Sequence, residues 1–130
     1  LTCWIRPLSF YWYDRIVDFR FNENFKSEKI VLASSFGVGG RPLLVIGDNS
    51  AESSIISNVS LSLNEWNYLA VVYDGDREEA RIYINGTETA RGKMMPIRSS
   101  INKTMTCNFI GKSCLSSGRL GANMLLDELK

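Results

Sequence analysis

The residues of this chain best equipped for chemistry are aromatic. Phe10-Tyr11-Trp12-Tyr13 sets four rings in succession between two strand-like stretches, and successive side chains of an extended segment point to opposite sides, so the rings cannot all turn inward. A Trp or Tyr left outside offers a flat apolar face with a polar edge, suited to stacking on a sugar ring or anchoring a protein partner. Tyr11 and Trp12 are the two candidates for ligand contact, and covering one end of the fold is the alternative role for both.

Catalytic groupings are absent by residue type. The chain has no histidine, no Gly-x-Ser-x-Gly elbow and no cysteine with an imidazole partner, which excludes hydrolase triads. Three cysteines, two of them near each other, do not make a tetrahedral zinc set. Gly37-Val38-Gly39-Gly40 lacks the Lys-Ser/Thr of a phosphate-binding loop and reads as a turn. Fifteen basic against fourteen acidic side chains give a net charge of +1, so no long-range field favours nucleic acid or an acidic membrane surface. No apolar run reaches the roughly 20 residues of a bilayer-spanning helix.

Cys107 and Cys114 flank a short stretch containing Gly111, close enough for a loop-closing disulfide, while Cys3 sits in an apolar strand pattern that suits a buried thiol. Three free buried thiols are the alternative. Asn58-Val-Ser, Asn85-Gly-Thr and Asn102-Lys-Thr satisfy the N-glycosylation sequon, although Asn85-Gly86 has a second, structural reason to exist. Bridge and sequons together point to the secretory route and an extracellular or cell-surface location.

The elements that must position these groups are strands. Period-two or β-branched stretches recur at 1–8, 15–21, 30–35, 43–46, 54–58, 66–73, 80–84, 87–91 and 107–110, separated by Gly, Asn, Asp and Ser. Both faces of Trp66–Tyr73 are largely apolar, which predicts a central strand covered on both sides. Asp74-Gly75-Asp76 supplies a turn, Ala80, Ile82 and Ile84 alternate with polar or amphipathic residues, and Asn85-Gly86 is the signature of a type I′ hairpin returning through Thr87–Arg91. Short antiparallel strands apolar on one face need a second sheet, so the fold class is all-β, an antiparallel β-sandwich of jelly-roll type. With 130 residues, 45% hydrophobic, and no repeat or linker, one domain spans 1–130. Leu1 begins within a strand pattern and Leu125–Lys130 stops as another strand starts, which suggests a piece of a longer multidomain chain.

The segment order resembles the laminin-G-like, concanavalin A-like jelly-roll modules. "LTCWIRP" at 1–7 and "DRIVDF" at 14–19 are similar to two early strands of that group, "LNEWNYLAVVYDG" at 63–75 with "ARIYINGTETA" at 80–90 is the most specific match, and "NFIGKS" at 108–113 and "LLDELK" at 125–130 complete the series. Against the family pattern, a first and a last strand are expected to be missing, and the three cysteines are departures. The resemblance implies that Tyr13 is a buried aromatic. It also brings calcium, which the family holds with loop oxygens at the sandwich rim: Asp48 and Asn49 in one loop and Asp74 and Asp76 in another are the candidate ligands, with turn stabilisation as the competing role. No cofactor is required, and calcium is an option. Glycosidases share the architecture, but their alternating acid run is absent here, and Glu78-Glu79 are adjacent and face opposite sides. The expected function is a non-catalytic extracellular recognition or adhesion module binding carbohydrate or a glycoprotein. The alternative is a structural module packed into a larger extracellular assembly such as a filament or appendage, and a glycoside hydrolase ranks third.

Overall fold

The computed structural model describes residues 1–23, 27–97, 104–115 and 121–130. Among them the regular elements are ten strands: β1 (Thr2–Pro7), β2 (Arg15–Arg20), β3 (Lys29–Ala33), β4 (Leu43–Gly47), β5 (Glu52–Ile56), β6 (Asn67–Asp74), β7 (Glu79–Ile84), β8 (Thr87–Lys93), β9 (Cys107–Ile110) and β10 (Met124–Asp127). No described helix is long and apolar enough to cross a membrane. All ladders are antiparallel and form two five-stranded sheets, β10-β1-β6-β7-β8 and β5-β4-β3-β2-β9. The chain is therefore the expected all-β sandwich. Its core lies between the sheets, where Ile5, Leu69, Val71, Ile82 and Ile84 of the first meet Val17, Leu32, Leu44, Ile46 and Ile55 of the second. Period-two alternation is what delivers these side chains to one face of each strand.

The β6–β7–β8 meander forms as its residues dictate. Asn85 (φ 51°) and Gly86 (φ 81°) both take the left-handed conformation a type I′ turn needs, and Ile84 pairs with Thr87 across it. The Asn85 side-chain oxygen also accepts the Tyr68 N–H at 2.8 Å, tying the turn to β6.

One expectation needs correction. β6 is central in its sheet, but it is covered on one side only. Tyr68 and Ala70 are half-buried on the outer face and Val72 is 49% exposed, beside an exposed Trp66. The strand buried along its whole length is β4, in the other sheet: Leu44 and Ile46 face the core, while Leu43 and Val45 join Val31 and Ala33 in a second cluster on the outer face, roofed in part by Phe36.

A β-bulge shapes that outer face. Arg15 pairs with Ala33 but Val17 pairs with Leu32, so Ile16 is an extra residue in β2. Strict alternation would put Arg15 on the core side with Val17 and Phe19. The bulge breaks the alternation, buries Ile16 and Val17 together, and turns Arg15 outward beside Asp18 and Arg20.

Candidate functional site

The aromatic run lies in the loop between β1 and β2, and its shape follows from two glycines of a second loop. The Phe10 ring lies over Gly40 and the Trp12 ring over Gly37. Gly37 and Gly40 both have positive φ (74° and 68°), and the Ser35 hydroxyl braces their turn by donating to the Gly37 carbonyl and accepting the Gly40 N–H. Asp14 closes the aromatic loop from the other end, its carboxylate accepting the Tyr11 N–H at 2.9 Å. Trp12 stacks on Phe36 with centroids 5.5 Å apart, and Tyr13 meets both rings edge-on. Tyr11 is left 54% and Trp12 48% exposed. The two proposed contact residues thus reach solvent, while one face of Trp12 is already used within the fold.

Tyr13 is the hinge between this loop and a pocket on the outer face of the second sheet. The residue expected to be buried is instead exposed, in the left-handed conformation at φ 60°, with its ring beneath the Arg15 guanidinium at 5.0 Å. The pocket holds about 230 Å³. Tyr13, Arg15, Arg20, Lys29 and Glu52 line it, and Val31 and Val45 contribute apolar surface.

Charge is unusually concentrated there. Asp18 is fully buried and takes a 2.6 Å hydrogen bond from Arg20 Nε, a 3.2 Å bond from the Cys114 N–H and a 3.3 Å bond from the Ser113 hydroxyl. Arg15 Nε stands 3.5 Å from the same carboxylate, within ion-pair reach. It is nevertheless buried with no hydrogen-bond partner among the described residues. Burial pulls the Arg15 pKa below its usual value, Asp18 opposes that shift and the Arg20 charge reinforces it; a guanidinium remains protonated all the same. Lys29 pairs with Glu52 at 2.7 Å, and the Glu52 side chain is 55% exposed at the pocket edge.

The Cys107–Cys114 disulfide is present, with Cα atoms 5.9 Å apart. It ties the segment after β9 over β2, which is how the Cys114 amide reaches Asp18. Cys3 is free and wholly buried, as its strand pattern implied.

The remaining candidates are dispersed. Asp48 and Asn49 are in the turn between β4 and β5 of one sheet, Asp74 and Asp76 at the turn between β6 and β7 of the other. Asp48 Oδ1 already accepts the Ser50 N–H and hydroxyl and the Ala51 N–H, and Asp74 Oδ1 accepts the Arg77 N–H. Among the described residues, no three His, Cys, Asp or Glu side chains gather into a metal-holding group. Asp48 and Asp74 thus serve their own turns, whereas a calcium cage needs six to eight converging oxygens. Asn58 is exposed just after β5 and Asn85 is exposed in its hairpin turn, whereas Asn102 lies outside the described residues.

Reading the residues one strand at a time missed Arg15, Arg20, Lys29 and Glu52. The signal available was the charge of Arg15, Asp18 and Arg20 within the short strand β2 (Arg15–Arg20), but alternation alone assigned Arg15 to the wrong face.

The family model described as the concanavalin A-like lectin/glucanases superfamily, of laminin-G type, matches residues 1–130. None of the curated proteins matches the sequence.

Proposed function

The chain belongs to the laminin-G-like group of the concanavalin A-like lectin/glucanase superfamily, and from that premise we propose that it is a non-catalytic recognition module, extracellular or on a cell surface, binding carbohydrate or a glycoprotein. One observation carries the reading: the exposed rings of Tyr11 and Trp12 adjoin Tyr13, which leads directly into a concave pocket with polar groups. Flat aromatic surface beside a polar recess is a chemistry that suits sugars. The acids near the pocket support binding over hydrolysis, since Asp18 is enclosed by Arg20 and the Cys114 amide and Glu52 is paired with Lys29. The disulfide and the exposed sequons at Asn58 and Asn85 favour the secretory route.

Glycan-array screening followed by calorimetry tests the proposal. Tyr11→Ala and Trp12→Ala are each expected to weaken binding about tenfold, the scale of one aromatic contact. Binding unchanged by both substitutions would remove the site.

A second reading, a structural module packed against neighbours in a larger extracellular assembly, rests on the outer face of the first sheet. Trp4 and Val72 are exposed there, and the Trp4 and Tyr68 rings lie 5.3 Å apart. It predicts that this face buries more than about 1,000 Å² in the assembled protein. A structure of the longer chain with Trp4 and Val72 in solvent would sink it.

A further inference from the structure

We propose that Asn85 carries an N-linked glycan whose first N-acetylglucosamine lies against Tyr68 on the outer face of the first sheet, as a fixed part of the folded surface. The inference rests on the secretory location in the reading above and not on what the aromatic loop binds. Asn85-Gly86-Thr87 is a sequon, and both Asn85 and Thr87 are exposed in the described hairpin. Transfer joins Asn85 Nδ2 to the anomeric carbon of the sugar and breaks that carbon's bond to the pyrophosphate of a lipid-linked oligosaccharide. The amide gives one proton to a base of the transferase, and the lipid pyrophosphate leaves.

The turn holds Asn85 in the orientation this needs. Its N–H donates to the Tyr68 carbonyl at 2.8 Å and its Oδ1 accepts the Tyr68 N–H at 2.8 Å. Among the described residues Nδ2 donates to nothing. A glycosylated amide keeps its Oδ1, so the sugar is added without breaking the bond that ties the turn to β6. Because that bond already fixes the side chain, docking the first sugar costs little further ordering.

The surface beside Nδ2 is aromatic. Leu69 pairs with Ile84, which sets Tyr68 opposite Asn85, and Trp4 pairs with Tyr68 on the next strand. Leu69 faces the core, so Tyr68 lies on the outer face. The Trp4 and Tyr68 rings are 5.3 Å apart and tilted by 57°, and Trp4 is exposed. With neighbouring strands about 4.8 Å apart, the first sugar falls over Tyr68 and the second toward Trp4. The C–H face of a pyranose is apolar and its rim polar, which matches a half-buried ring open to water at one edge. A glycan seated there also covers the face on which the assembly reading depends, so the inference and that second reading exclude each other.

The test begins with the chain secreted from cultured animal cells, with peptide mapping by mass spectrometry to read occupancy. Asn85 is expected to be glycosylated; because these cells supply the secretory route, an empty Asn85 would indict the site and overturn the inference. Thr87→Ala removes the sequon and leaves Asn85-Gly86 in place, and the same pair made in a bacterial periplasm, where this glycan is not added, gives the effect of the substitution alone. Beyond that effect, the glycan is expected to raise the melting temperature by roughly 2–5 °C. Trimming with an endoglycosidase that leaves one N-acetylglucosamine should preserve the gain, and loss of the gain on trimming would overturn the contact. In Tyr68→Val the site should stay occupied and the gain should vanish; the trimming arm uses the parent fold, so the test survives if this variant is unstable. No gain from the glycan, or a gain that survives Tyr68→Val, overturns the inference. A stabilising glycan at Asn85 in a protein that binds nothing on glycan arrays would support it and remove the recognition reading alone.

Discussion

The Phe10 ring occupies the space where a side chain at position 40 would begin: a Cβ built on Gly40 would sit 2.5 Å from Phe10 Cζ. Gly40 also has φ +68°, so both the backbone and the ring demand glycine there. The contact anchors the aromatic loop to the neighbouring turn. Gly40→Ala is expected to destabilise the protein by about 2–4 kcal/mol, the sum of a left-handed backbone penalty and overpacking. Urea unfolding measures the loss, and altered Trp fluorescence in the native baseline would report displacement of Trp12.

Asp18 holds the second sheet's outer face together. Asp18→Asn keeps the shape but removes the negative charge that Arg15 and Arg20, both buried, share. A loss of about 3–5 kcal/mol is expected, as for breaking a buried pair from one side. A thermal midpoint unchanged from the parent would show that solvent or another group neutralises these arginines.

Cys3 should make stability fall at alkaline pH. Burial pushes its thiol from the usual 9.0 up to about 11, the nearby N-terminal charge opposing slightly. Between those values the unfolded chain has lost the proton and the folded chain has kept it, so the folded state binds more protons and ΔG of unfolding drops as pH rises from 9 toward 11. A decrease on the order of 2 kcal/mol follows from a shift of that size. Cys3→Ala should flatten this part of the pH profile, and native Cys3 should resist alkylation at neutral pH.

Calcium is expected to leave the protein's stability unchanged. Asp48 and Asp74 each engage Oδ1 with backbone donors of their own turns. Calorimetry with millimolar calcium, and again with a chelator, should give the same melting temperature. A rise of several degrees with calcium would mean that those turns open to form a cage.

Local rules made much of the fold legible. Alternation exposed the strands, Asn85-Gly86 specified its own hairpin, and the spacing of Cys107 and Cys114 anticipated their bridge. The exposure of Tyr11 and Trp12 also followed, because four rings in a row cannot all face one way. These features depend on residues within a few positions of one another, where dihedral preference and side-chain direction are enough.

What the sequence determined by itself was a two-sheet body with an aromatic loop at its surface. Tertiary structure decided which faces stayed open: β6 presents Val72 to solvent, while β4 is buried on both sides, by the opposite sheet on one and in part by Phe36 on the other. It also decided the pocket. Arg15, Lys29 and Glu52 come from three strands, and Arg15 joins them only because the bulge at Ile16 breaks the period-two rule. A bulge is set by the competition between pairing register and burial across strands, a balance struck between partners and invisible in either strand alone.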